Sequence, residues 1–94
     1  MTPQIIPEWS AKARADIRAI IEYISDENPV ATQALKDEIE SKVSTLAEHP
    51  KLFKPGRLKG TREMVVRPNY VVVYREGSHS VTVLRVLHAA QHWP

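Results

Sequence analysis

Residues 62–88 read REMVVRPNYVVVYREGSHSVTVLRVLH, and this stretch decides the fold. β-Branched and aromatic residues fill three runs, Arg62 to Arg67, Tyr70 to Arg75 and Val81 to His88. That composition suits a pleated, half-buried surface. Pro68-Asn69 separates the first two runs and Glu76-Gly77-Ser78-His79 the last two, and both breaks carry turn chemistry. Connections this short join antiparallel neighbours, so the stretch predicts a three-stranded meander. Val71-Val72-Val73 is apolar on both faces, which predicts a middle strand covered on both sides. Strict alternation in the third run puts Val81, Val83, Arg85 and Leu87 on one face. Thr82, Leu84, Val86 and His88 take the other.

Upstream, His49 to Gly60 (HPKLFKPGRLKG) holds two prolines, two glycines and four basic residues and reads as a loop. Before it the apolar period becomes helical. Leu35, Ile39, Val43 and Leu46 recur at 4-4-3 spacing, one buried stripe of a helix that Asn28-Pro29 opens and His49-Pro50 closes. Ala13, Ile17, Ile20 and Ile24 recur at 4-3-4 spacing in an earlier helix, capped by Ser10 and running to about Ser25. Arg14, Arg18 and Glu22 fall on its solvated side. The short Asp26-Glu27-Asn28 link predicts an antiparallel helical hairpin. Gln4 to Ile6, between Pro3 and Pro7, reads as a short first strand. The expected fold is a single α+β domain over residues 1–94, ordered β-α-α-β-β-β, with the hairpin packed on one face of an antiparallel sheet. Its expected core is Ile17, Ile20, Ile24, Leu35, Ile39, Val43, Leu46, Val71, Val73 and Leu84.

Ninety-four residues leave room for one core and not for separate catalytic and substrate domains. Hydrophobic residues at 43% against 26% charged place the chain with folded soluble proteins rather than disordered ones. The absence of cysteine excludes a disulfide scaffold, a thiolate metal site and a cysteine nucleophile. No apolar run approaches the roughly 18 residues of a membrane span, and the first residues lack a signal-peptide pattern. A cytoplasmic protein is expected. Charge is uneven: residues 1–50 hold five Lys/Arg against nine Asp/Glu, net −4, and residues 51–94 hold eight against two, net +6. Such a dipole steers anionic partners, nucleic acid or acidic protein, toward the C-terminal half.

The three glycines, at 56, 60 and 77, fit no phosphate-loop spacing. Ser78-His79 sits in a turn with no acid to orient it as a nucleophile pair. His88 and His92 stand four apart in His-Ala-Ala-Gln-His, but zinc needs a third and fourth ligand, and none is evident. No metal or other cofactor is expected. Metal-free RNA cleavage needs a base, a proton donor to the leaving oxygen and cations on the phosphorane. His88, His92, Arg67, Arg75 and Arg85 contain those residue types. Tyr70, Tyr74 and Trp93 could stack on bases, although strand tyrosines more commonly pack with a wet hydroxyl.

The element order and size resemble the RelE/ParE superfamily of bacterial toxins from type II toxin–antitoxin modules. So do Asn28-Pro29, Leu-Ala-Glu-His-Pro at 46–50, Gly-Thr-Arg-Glu at 60–63 and Pro-Asn-Tyr-Val-Val-Val-Tyr-Arg at 68–75. The ending Leu-Arg-Val-Leu-His-Ala-Ala-Gln-His-Trp-Pro also matches a recurrent close of the family. The resemblance implies one of two activities. RelE-like members cut mRNA on the ribosome, and ParE-like members poison DNA gyrase. In both, a cognate antitoxin wraps and silences the toxin, in an oligomeric complex that binds its operator through the antitoxin. The lysines and arginines of the RelE branch would fall near Glu63, Val65, Val71 and Gln91, and none matches. The Arg-Val-Leu-His ending is closer to the ParE branch. The resemblance therefore implies a ParE-like gyrase inhibitor, with a RelE-like mRNA interferase as the alternative, in which His88, His92, Arg67 and Arg85 are the catalytic candidates. Target contact is expected from Arg62, Arg67, Arg75, Arg85, His88, His92 and Trp93, with the toxic determinant in the stretch from Arg85 to Pro94. Antitoxin binding is expected to add a strand at a sheet edge and to place acidic residues against the basic half.

Overall fold

A computed structural model describes residues 6–25, 29–46, 48–77 and 80–88. The elements are β1 (Glu8–Trp9), α1 (Ala11–Ser25), α2 (Pro29–Leu46), β2 (Lys54–Pro55), β3 (Arg62–Arg67), β4 (Tyr70–Glu76) and β5 (Val81–His88). Ser10 caps α1 as its sequence position predicts: its Oγ accepts the Ala13 main-chain N–H at 3.0 Å. Pro29 is the first residue of α2, where its missing N–H costs nothing. The predicted stripe Leu35, Ile39, Val43 and Leu46 is buried, and Thr32 continues it by one turn.

The meander forms with the expected spans, except that β4 runs one residue past the expected Arg75, to Glu76. The sheet around it differs from expectation. Its order is β1-β5-β4-β3-β2. β1 runs parallel to β5, Glu8 opposite Thr82 and Trp9 opposite Val83, so the sheet is mixed rather than antiparallel. Among the described residues the first strand lies at Glu8–Trp9. Ile6 is exposed and outside any strand, and Gln4 and Ile5 lie outside the described residues. Pro7 lacks the N–H a ladder needs, so pairing starts after it. Within the loop read at 49–60, Lys54–Pro55 pairs with Glu63 and Arg62 as a fifth strand. Proline is tolerated there because β2 is an edge strand.

A second difference changes which side chains share a face. Val73 pairs with Arg85, but Tyr74 pairs with Val83, so Leu84 is an extra residue and the two-residue period of β5 resets. Val81, Val83 and Val86 therefore join one cluster with Val72 and Tyr74 of β4, Met64 and Val66 of β3, and the buried stripe of α2. Ala13 belongs to the same cluster, and Ile17, Ile20, Trp9 and Phe53 pack against it while partly exposed. Leu84 and Val71, both expected in the core, are half-buried. Val73 is fully buried, but outside this cluster. The Ile24 side chain lies outside what the structure describes. No helix among the described residues is long and apolar enough to cross a membrane.

Candidate functional site

The basic residues singled out by sequence lie on the three meander strands, and the register distributes them. Arg62 sits opposite Tyr74 at one end, near Arg75 and Glu76, whereas Arg67 sits opposite Tyr70 at the other end, and Tyr70 in turn opposes His88. At about 3.3 Å per residue the two groups stand on the order of 15 Å apart. The structure thus brings Arg67, Tyr70 and His88 together and separates them from Arg62 and Arg75. His92 and Trp93 lie outside the described residues.

Most of these cations already hold a carboxylate. Arg67 donates through Nε to Glu38 of α2. Arg62 donates to Glu76 Oε1 at 3.0 Å and through Nη1 to the Phe53 carbonyl at 2.7 Å. Arg85 donates through Nε to Asp16 Oδ2 at 2.7 Å and through Nη2 to Asp16 Oδ1 at 3.0 Å. The Asp16 hydrogen bond raises the Arg85 pKa above its ordinary value, against the opposing effect of burial. Arg75, on β4, is exposed. The His88 ring meets Tyr70 edge-on, with centroids 5.4 Å apart and planes at 90°.

Helix side chains also occupy main-chain atoms of the sheet. β1 covers β5 only as far as Val83. Beyond it, Ser10 Oγ donates to the Leu84 carbonyl at 2.8 Å and Asp16 Oδ2 accepts the Val86 N–H at 2.9 Å. On β3, Lys42 Nζ donates to the Val66 carbonyl at 2.8 Å, where the register slips between Val65 and Arg67. These atoms would otherwise offer themselves to an added strand.

The loop from Pro50 to Thr61 is built onto the sheet by three buried or half-buried polar groups. Tyr74, fully buried, donates its hydroxyl to the Pro50 carbonyl at 2.6 Å. Burial raises the Tyr74 pKa, with Glu76 adding to the rise and Arg62 opposing it. Arg62 holds the Phe53 carbonyl, and Phe53 packs edge-on against Tyr74 at 6.4 Å. Glu63, only 5% exposed, accepts the Arg57 main-chain N–H at 2.8 Å and its Nε at 3.3 Å. Burial pushes the Glu63 carboxyl up, but the Arg57 hydrogen bonds and the nearby charges of Arg57 and Lys54 outweigh it, and the carboxyl titrates below its ordinary value. Gly56 donates to the Thr61 carbonyl at 2.7 Å, and Gly60 takes a φ of 85°, open to glycine without strain. A shallow cleft of about 260 Å³ beside this loop is lined by Pro55, Gly60, Thr61, Arg62 and Glu76.

Sequence reasoning missed Asp16, Glu38 and Lys42, each of which binds an arginine or a main-chain atom from a distant part of the chain, and the role of Glu63, which binds Arg57 six residues before it. Glu63 alone carried a signal: an acid between Arg62 and Met64 in an otherwise apolar strand must find a donor or leave the sheet. Among the described residues no three His, Cys, Asp or Glu side chains converge as a metal site. Chemically, the arrangement favours recognition over group transfer. A phosphorane needs several unpaired cations around one base, and here Arg67 and Arg85 are each engaged by an acid.

Comparison with known proteins agrees with this fold. Residues 8–93 match the family described as ParE toxin of type II toxin–antitoxin system, parDE. The chain is 38% identical over 87 residues to Y4kP of Sinorhizobium fredii, covering 92% of this chain and 90% of that one. It is 36% identical over 85 residues to Toxin RelE2 of Caulobacter vibrioides, covering 88% and 93%. The structure of a chromosomal ParDE system from P. aeruginosa superposes with a TM-score of 0.81 at 19% identity, covering 90% of this chain and 96% of that one.

Proposed function

The chain belongs to the ParE toxin family of type II toxin–antitoxin systems, and on that premise we propose that it arrests bacterial growth by inhibiting DNA gyrase until a cognate antitoxin covers it. The engagement of its cations is the observation that carries the gyrase reading. Where the RelE branch would present lysines and an arginine to RNA, this chain has Glu63, Val65 and Val71. Glu63 is consumed by Arg57, and Val65 and Val71 cannot stabilise a phosphorane. Arg67 and Arg85, the nearest substitutes, are held by Glu38 and Asp16. Target recognition then falls to exposed Arg75 and to the end of the sheet at Arg67 and His88, with Arg62 and Arg85 as rim charges and His92 and Trp93 beyond β5. The antitoxin complex is oligomeric and reaches its operator through the antitoxin.

One observation favours a second reading, a ribosome-dependent mRNA endonuclease. His88 stands edge-on to Tyr70 with Arg67 next in register, so a base, a phenol and a cation share one end of the sheet. The likeness to Toxin RelE2 points the same way. Induced expression in bacteria tests both. The gyrase reading expects growth arrest with DNA damage and intact messages, relieved by the product of an abutting short reading frame. Cleaved messages with undamaged DNA would favour the endonuclease.

A further inference from the structure

We infer that Glu38 is a specificity-determining residue, whose carboxylate competes with RNA phosphate for Arg67 at the end of the sheet that also carries Tyr70 and His88. On the gyrase reading, on which this assignment rests, Glu38 is the group that turns that end away from an endonuclease's substrate. A bulge brings Arg67 there. Val65 stands opposite Val71, yet Arg67 and not Val66 stands opposite Tyr70. Directly opposed residues share a face of the sheet. The extra residue therefore re-aims Arg67 to the side of Tyr70, which belongs to the main cluster beneath the helices. His88, opposite Tyr70, shares that side. Two side chains of α2, one turn apart, hold the bulge. Lys42 donates to the Val66 carbonyl at 2.8 Å, and Glu38 accepts from Arg67 Nε.

The two arginine–acid pairs between helix and sheet differ in construction. Asp16 grips Arg85 with both oxygens and takes the Val86 N–H as well, and the Arg85 and Asp16 side chains are only 25% and 14% exposed. That pair is a fixed brace. Glu38 meets Arg67 at Nε, the one hydrogen bond Arg67 makes among the described residues, and the Arg67 and Glu38 side chains are 39% and 34% exposed. A single-point pair this open to water contributes little to stability, so an outside anion exchanges with it at small cost. A guanidinium takes phosphate through two parallel N–H bonds, a stronger contact than the one Glu38 makes. A phosphodiester is also the anion that suits an imidazole and a phenol beside that guanidinium. While Glu38 stays in place the Arg67 charge is neutralised, and an approaching phosphate meets a carboxylate.

The test measures binding of a fluorescein-labelled, ten-nucleotide single-stranded RNA to the full chain by anisotropy, at 50 and 300 mM salt. Glu38→Gln keeps the shape of the side chain and removes its charge. It should bind the RNA about fourfold more tightly than wild type at 50 mM salt, and the gain should fade by 300 mM. One more phosphate contact steepens the log–log salt dependence by about 0.7 for a single strand. Glu40→Gln makes the same charge change two residues away, where Glu40 pairs with Lys36, and should shift affinity less than twofold. Arg67→Gln/Glu38→Gln should bind no better than Arg67→Gln, which places the gain at Arg67. Equal gains from Glu38→Gln and Glu40→Gln overturn the competition in favour of net charge alone. No gain from Glu38→Gln overturns it as well, and a lowered urea midpoint in that variant would make Glu38 a support of the fold. The gyrase reading fails separately, if wild type cuts mRNA on the ribosome. Affinities unmoved by Glu38→Gln overturn the competition while gyrase inhibition stands.

Discussion

Asp16 holds Arg85 across 69 residues of sequence through two hydrogen bonds, Nε to Oδ2 at 2.7 Å and Nη2 to Oδ1 at 3.0 Å. The same carboxylate accepts the Val86 N–H, so one acid ties α1 to the bulged part of β5. Asp16→Ala removes both of these bonds to Arg85 and the acceptor of the Val86 N–H together, at a cost of about 2–3 kcal/mol. Arg85→Ala leaves Asp16 with the Val86 N–H and costs about 1 kcal/mol. Urea unfolding of both variants checks the order. Equal losses would mean the Val86 bond contributes nothing.

Glu63 makes stability depend on pH in a defined direction. Its carboxyl titrates lower folded than unfolded, where the ordinary value is about 4.3. The Glu63 contribution is therefore fully present above that pH and is lost as pH falls through the folded value. Glu63→Gln should lower the urea midpoint at pH 7, and the gap to wild type should narrow steadily below about pH 4. A gap unchanged down to pH 3 would show that the Arg57 contacts do not favour the charged form.

The core responds to volume and to charge. Ile39, 2% exposed within the main cluster, should cost about 3 kcal/mol on truncation to alanine. Val73 lies on the central strand β4 with no exposure, so Val73→Asp buries an unpaired carboxylate and should abolish cooperative folding, against a total stability of roughly 5–15 kcal/mol. Circular dichroism with thermal melts checks both, and a folded Val73→Asp protein would contradict the burial of that position.

Both helices and the three long strands were legible because each repeats its period several times. Leu35, Ile39, Val43 and Leu46 mark a helix face four times over, and Pro68-Asn69 marks the turn between strands. The two-residue strands were not. Glu8–Trp9 and Lys54–Pro55 are too short to show alternation, and the parallel pairing of Trp9 with Val83 spans most of the chain. The bulge at Leu84 carries no glycine or proline to announce it, yet it decides that Val86 and not Leu84 faces the helices. The candidate arginines were found by residue type, but their partners could not be assigned: Asp16 and Glu38 are helix surface acids that look alike until the sheet is placed against them, and Glu76 at the end of β4 meets Arg62 only through the register of β3 with β4.

Gly56 tests the rigidity of the basic loop. An added Cβ would lie 2.3 Å from Thr61 Oγ1, which is already tied to the Leu58 carbonyl, and 3.3 Å from Glu63 Cγ. Gly56→Ala should cost roughly 1–3 kcal/mol and raise amide exchange at Arg57 and Thr61. Exchange unchanged at both amides would show that the loop yields without strain.

Supercoiling of relaxed plasmid by purified gyrase, run with the purified full chain beside an mRNA-loaded ribosome reaction, separates the two activities most directly. Gyrase inhibition or accumulation of cleaved plasmid, reversed by antitoxin and with the mRNA intact, is the expected result. Undiminished supercoiling with mRNA cut on the ribosome would contradict the gyrase reading and assign catalysis to the end of the sheet that carries Arg67, Tyr70 and His88.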